Sequence, residues 1–229
     1  MGDSFTIDAL VFDLDDTLYP ERSHAVASLR AVADRFASEL GPADRLHERF
    51  CELMDSEHRR RVFDIVLDEL GRDDADVLVP RMIETYRYHR PRLTLYPDAA
   101  DALGRWSDRV PLGLITDGRV DLQQHKIDIL GIADRFAAVV ITGQWGEAFF
   151  KPNPRAFEEM NRQLGVSGNR CAYVGDNLGK DFLAPRRLGW RTIHIDRRDG
   201  LYAGVSSPNG GEPDVTITSL DELDSALEP

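Results

Sequence analysis

Three observations predict that this chain folds as α/β, with a doubly wound parallel sheet at its core and one helical domain inserted into it. Short apolar runs bounded by turn signals recur at residues 9–12, 110–115, 137–141, 171–174, 192–195 and 215–217. Amphipathic stretches separate most of them, as at 119–130 and 154–164. Strands that alternate with helices build parallel sheets covered on both faces. Residues 19–95 break this rhythm: Leu29, Val32, Ala33 and Phe36, then Val62, Phe63, Val66, Leu67 and Leu70, follow helical spacing, and no strand pattern interrupts them.

The first strand runs through Leu10-Val11-Phe12 and stops at the polar sequence Asp13-Leu14-Asp15-Asp16-Thr17. The helical insertion follows, and Gly41-Pro42 and the stretch 71–76 divide it into four helices. Residues 1–18 and 96–229 therefore form the α/β core, and 19–95 the insertion. The second strand ends at Ile115-Thr116 and the helix 119–130 succeeds it. Asn153 and Pro154 read as the N-cap and first residue of the helix that ends near 164. Ser219 with Glu222 forms a capping box for a C-terminal helix. Residues 200–213, rich in Gly, Pro, Ser and Asn, read as a surface loop.

Composition narrows the possible functions. The 229 residues carry a formal net charge of −12, which argues against nucleic acid or an anionic membrane surface as a partner. No apolar stretch approaches bilayer length, and Met1-Gly2-Asp3-Ser4 lacks the basic start of a signal peptide. A cytoplasmic location is expected, with Cys51 and Cys171 as free thiols. Nothing in the composition indicates an oligomeric state. Of the 28 Lys and Arg residues, the only lysines are Lys126, Lys151 and Lys180. Arg and Lys are not interchangeable where a compact point charge is needed, so each lysine carries information. Lys151 precedes Pro152 just ahead of a helix, and Lys180 lies in an acidic turn. Lys126, within a helical pattern, is expected to be solvated.

Asp13 and Asp15 stand two residues apart at the carboxyl end of a strand, a spacing that aims both side chains one way. In open α/β sheets, ligands bind at that edge. Two acids with a Thr hydroxyl close behind suit Mg²⁺ and phosphate chemistry, one acid attacking and one handling a proton.

Four motifs then stand in the order and spacing of the haloacid dehalogenase-like (HAD) hydrolase superfamily, which the chain resembles over its whole length. They are Asp13-Leu14-Asp15-Asp16-Thr17, Ile115-Thr116-Asp117-Gly118, Lys151-Pro152, and Gly175-Asp176 with Asp181. The insertion at 19–95 looks like the α-helical cap of subclass I, set into a Rossmann-like core. The resemblance implies roles. Asp13 is the nucleophile that forms an aspartyl-phosphate, and Asp15 is the acid and base. Thr116, the Asp117 backbone N–H and Lys151 hold the phosphoryl group. The Asp13 carboxylate, the Asp15 carbonyl and the Asp176 carboxylate bind Mg²⁺. Asp181 orients Lys151 or metal waters rather than ligating directly. Asp16 and Thr17 shape the loop, with Thr17 also near enough to the nucleophile to hydrogen-bond its surroundings. The Asp117 side chain serves a turn or cap.

The cap is expected to hold specificity, and Arg81, Arg87, His89, Arg90 and Arg92 stand there against the single acid Glu84. One of them could grip a second anionic group of the substrate, or all could form a solvated face. The leading reading is a Mg²⁺-dependent phosphomonoester hydrolase acting on a small phosphorylated metabolite, a sugar phosphate or nucleotide monophosphate. A phosphomutase would keep all four motifs. A haloacid dehalogenase is disfavoured because its branch lacks the second acid that Asp15 supplies. Intact Asp13, Asp15, Thr116, Lys151 and Asp176 disfavour a non-catalytic binding module.

Overall fold

The computed structural model describes residues 6–198, 200–201 and 204–227. The apolar runs become six parallel strands: β1 (Ala9–Phe12), β2 (Leu112–Thr116), β3 (Ala138–Ile141), β4 (Cys171–Gly175), β5 (Arg191–Ile195) and β6 (Val215–Ile217). They lie in the order β3-β2-β1-β4-β5-β6. The order reverses beside β1, so the crevice at its carboxyl end is where a sheet of this winding binds its ligand. In register, Phe12 is level with Leu114 on β2 and Val174 on β4, which brings the loops after all three strands to one edge.

Strand alternation divides the core in two. Leu10, Phe12, Leu112, Leu114, Ala172, Val174, Ile193 and Ile195 enter one apolar cluster. Ala9, Val11, Ile115, Cys171 and Tyr173 enter the cluster on the other side. Burial of each large apolar side chain contributes about 1.5–3 kcal/mol, so a register slip of one residue, which exchanges the two faces, is strongly disfavoured. Helices α5 (Pro97–Ser107), α6 (Val120–Leu130), α7 (Arg155–Leu164), α8 (Leu183–Arg187) and α9 (Leu223–Leu227) complete this part of the chain. The N-cap of α7 is Pro154, one residue later than expected, and the Asn153 side chain just ahead of it accepts the Arg155 N–H at 3.0 Å. The Ser219–Glu222 capping box is present, heading a single tight turn that runs into α9.

The helical region contains α1 (Glu21–Leu40), α2 (Ala43–Met54), α3 (Val62–Glu69) and α4 (Ala75–Tyr88). The chain divides into two compact units, Met1–Glu21 with Leu93–Pro229, and Arg22–Arg92. The second has its own core around Leu29, Val32, Phe36, Phe50, Leu67 and Met82. One of its basic residues already has a partner: Arg81 pairs with Glu39 at 3.0 Å and lies 5.1 Å over the Phe36 ring.

Cys51 and Cys171 are free thiols. No helix among the described residues is long and apolar enough to cross a membrane. In the loop 200–213 the described residues form no helix or strand. Residues 202–203 of that loop, and the N-terminal Met1-Gly2-Asp3-Ser4, lie outside the described residues.

One close approach ties two site loops together. A Cβ on Gly143, just after β3, would stand 1.9 Å from the carbonyl oxygen of Gly118, just after β2. Only glycine lets these two backbones meet. Gly143→Ala is expected to cost about 1–3 kcal/mol of stability, read by denaturant unfolding. An unchanged midpoint would mean that the two loops are not held in contact.

Candidate active site

Each strand of the central trio delivers one polar residue to the carboxyl edge. Asp13 leaves β1 with its backbone N–H bonded to the Val174 carbonyl at 2.8 Å. Its carboxylate accepts from Lys151 Nζ at 2.6 Å. The Lys151 side chain is wholly enclosed, and its ammonium also stands 2.8 Å from Asp181 Oδ1 and donates to the Tyr173 hydroxyl at 2.8 Å. The other Asp181 oxygen accepts the Asn177 N–H at 2.9 Å. That carboxylate tucks against Gly175, where a Cβ would come within 2.5 Å of it. Burial alone would strip the Lys151 proton, but the charges of Asp13 and Asp181 hold it on, well above the ordinary lysine value.

Asp176, which follows β4, meets no cation among the described residues. One carboxylate oxygen from each of Asp13, Asp176 and Asp181 can be drawn within 4.8 Å of the others. Burial, with the negative charges of Asp181, Asp13 and Asp16, pushes Asp176 up to about 9. Burial also raises Asp13 to about 7, in spite of Lys151. Three buried carboxylates around one ammonium leave an excess of negative charge. That deficit and the all-oxygen donor set fit a hard divalent cation. Both oxygens of Asp181 are already engaged, by Lys151 and by the Asn177 N–H, which leaves Asp13 and Asp176 the freer donors.

Asp15 belongs to a separate cluster. Lys126 Nζ donates to its Oδ1 at 2.7 Å, and the Tyr19 hydroxyl donates to the same oxygen. Gln123 Nε2 donates to its Oδ2 at 2.8 Å and also to the Thr116 hydroxyl oxygen. Burial would raise the Asp15 value, but the Lys126 ammonium and these hydrogen bonds hold it below the usual carboxylate range. Lys126 therefore departs from the sequence expectation of a solvated side chain. It is buried, because α6 turns its Gln123–Lys126 face, one helical turn long, toward the loop after β1.

Asp117 also does more than end a turn. Its Oδ1 accepts from the Lys151 N–H at 3.1 Å and the Thr142 hydroxyl at 2.9 Å, and its Oδ2 from Lys180 Nζ at 2.8 Å. One carboxylate thus joins the segments after β2, β3 and β4, and Lys151 and Lys180 keep it ionised against the effect of burial. Asp16 is a turn residue, with φ of 52°, a conformation that Asp tolerates better than most residues. Its carboxylate accepts the N–H groups of Glu21 and Leu201, each at 2.8 Å. Thr17 is buried, and its hydroxyl meets no hydrogen-bond partner among the described residues.

The structure brings Asp13, Lys151, Asp176 and Asp181 together as one group, with Asp15 and Thr116 linked through Gln123 as another. Sequence reasoning missed Tyr19, Gln123, Lys126, Thr142 and Tyr173. One signal was present: the chain has three lysines, and all three end on site carboxylates.

A family profile for haloacid dehalogenase-like hydrolases matches residues 7–189. The chain is 35% identical over 232 residues to a glyceraldehyde 3-phosphate phosphatase of Methanopyrus kandleri, with 95% of each chain covered. Among solved structures, a 2-haloacid dehalogenase from Pseudomonas syringae superposes with a TM-score of 0.64 at 27% identity, covering 97% of this chain and 98% of the other. A HAD phosphatase from Thermococcus onnurineus does so with a TM-score of 0.63 at 25% identity, covering 96% and 98%. With the sheet order, the four motif loops at one edge and this match spanning most of its length, the chain belongs to the haloacid dehalogenase-like hydrolases.

Proposed function

We propose that this hydrolase is a Mg²⁺-dependent phosphatase of a small phosphorylated metabolite, working through a phosphorylated Asp13. The observation that carries the reading is the coexistence of two differently partnered acids, Asp13 beside Lys151 and Asp15 beside Lys126. The full-length relative that dephosphorylates glyceraldehyde 3-phosphate supports a phosphorylated small molecule as substrate. A dehalogenase has no use for a second acid dedicated to protons, the role read here for Asp15.

In this mechanism Asp13 attacks phosphorus in line, and the bond to the departing oxygen breaks while Asp15, which has taken up the proton of the phosphate monoester monoanion on binding, passes it to that oxygen. Thr116, through its hydroxyl, and Asp117, through its backbone N–H, hold phosphoryl oxygens, and Lys151 neutralises charge beside the nucleophile. Asp15, now a base, takes a proton from the water that attacks the acyl phosphate, and inorganic phosphate leaves. The Asp13 carboxylate, the Asp15 carbonyl and the Asp176 carboxylate would hold Mg²⁺. When bound, the ion supplies positive charge to the phosphoryl oxygens and relieves the repulsion among the carboxylates. Asp181 keeps Lys151 in place. The helical unit Arg22–Arg92 acts as the cap that selects the substrate.

Asp13→Asn is expected to fold normally and to lose about 10⁴-fold or more in kcat on a phosphorylated substrate. Near-normal turnover of that variant would overturn the covalent route. EDTA should abolish activity and Mg²⁺ restore it, with Ca²⁺ a poor substitute because its coordination shell is larger and looser. Full activity in chelator would exclude the metal. Lys151→Arg should lose at least about 100-fold in kcat, because the planar guanidinium cannot occupy the point between Asp13 and Asp181. Thermal melts alongside separate that loss from unfolding, and wild-type kcat in a folded Lys151→Arg protein would remove Lys151 from the reacting centre.

A further inference from the structure

The three donors around Asp15 and Thr116 point beyond the family motifs. Gln123 Nε2 faces two oxygens at once, those of Asp15 and Thr116. A carboxylate only accepts, so this atom is the amide nitrogen, and its second proton goes to the Thr116 oxygen. The Thr116 hydroxyl thereby accepts from Gln123, and among the described residues nothing takes its own proton. It is free to donate to a phosphoryl oxygen. The amide thus connects the proposed proton-transfer residue to the proposed phosphate-binding hydroxyl.

Lys126 acts on the other oxygen of Asp15. Its ammonium is buried and reaches Asp15 Oδ1 at 2.7 Å, while Tyr19 approaches the same oxygen from the adjoining turn. With Oδ1 and Oδ2 both held, the carboxylate has little freedom to swing toward the Asp13–Asp176 group, whose excess negative charge is to be met by a cation. A residue that serves as acid in one step and base in the next has to stand in the same place for both.

We propose that Gln123 and Lys126 are positioning residues for proton transfer by Asp15, and that Gln123 also fixes the direction in which the Thr116 hydroxyl donates. This rests on the phosphatase reading above and deepens it. The two residues touch neither substrate nor metal; they act through Asp15 and Thr116.

The test is the dependence of kcat/KM on the leaving group, across phosphate monoesters from p-nitrophenyl phosphate to simple alkyl phosphates. In a route through a covalent intermediate, kcat/KM covers events only up to departure of the leaving group, so the later hydrolysis step does not enter. Nitrophenolate departs without a proton, whereas an alkoxide requires one. Asp15→Asn sets the benchmark: alkyl esters should fall far more than the nitrophenyl ester, which steepens the line. Lys126→Met should steepen it in the same direction, with about a 100-fold loss on alkyl esters and less than about 5-fold on the nitrophenyl ester. Gln123→Met, close to Gln in shape but without its donors, should show the same steepening plus a uniform drop, because Thr116 loses its fixed polarity. If Asp15→Asn steepens the line while folded Gln123→Met and Lys126→Met both give lines parallel to wild type, both residues are mere packing and the proposal is overturned. If Asp15→Asn itself leaves the slope unchanged, the proton role of Asp15 fails, and this inference with it. Should Lys126→Met fail to fold, the slope for Gln123→Met decides alone.

Discussion

The enclosed ammonium of Lys151 is the constraint on which the rest of the site depends. A charge without access to water is tolerable only when it is paired and hydrogen-bonded. Lys151 meets that requirement with Asp13, Asp181 and the Tyr173 hydroxyl. These partners come from the end of β1, from the middle of β4 and from the turn after β4, so the ion pair can form only when the parallel strands are in register. Conversely, Asp13 and Asp181 can be buried side by side only because Lys151 stands between them. Fold and site stabilise each other through this one contact.

The other two lysines repeat the arrangement at lower burial. Lys126 holds Asp15 and Lys180 holds Asp117, so each ammonium fixes a different carboxylate. On the mechanism proposed here, the lysines divide the labour by division of charge. Lys151 serves the attacking acid, Lys126 the proton-transferring acid, and Lys180 the residue that locks three loops together. Asp176 stands apart as the carboxylate without an ammonium among the described residues, and on the same proposal a divalent cation would supply its counter-charge. The enclosed point between Asp13 and Asp181 suits a compact ammonium, whereas exposed ion pairs such as Arg49–Glu69 and Arg22–Asp55 suit arginine well.

Much of this was legible in the sequence. The strands at 9–12 and 215–217 are where the apolar runs placed them, and the others differ by one or two residues at their ends. The parallel order follows from strand and helix alternation, and four helices, α1 to α4, fill the helical region after the first strand. Asp13, Thr116, Lys151 and Asp176 could be found because each ends a strand or opens the loop behind it. The residues that escaped detection sit on other elements. Gln123 and Lys126 lie in α6, where a helical pattern alone does not say which face meets the loop after β1. Tyr173 is a strand residue indistinguishable by pattern from its apolar neighbours, and only the folded register brings its hydroxyl to Lys151. The many contacts of Asp117 were hidden for the same reason, since its partners lie 25, 34 and 63 residues away in sequence.

The most direct test of the central claim is to trap the intermediate. Enzyme quenched during steady-state turnover of a phosphate monoester would be treated with borohydride, which reduces an acyl phosphate to an alcohol, and then digested for mass spectrometry. The account predicts that Asp13 is converted to homoserine, only in the presence of substrate, with Asp15, Asp176 and Asp181 unchanged. Conversion at another aspartate, or none at any residue while phosphate is being released, would contradict it.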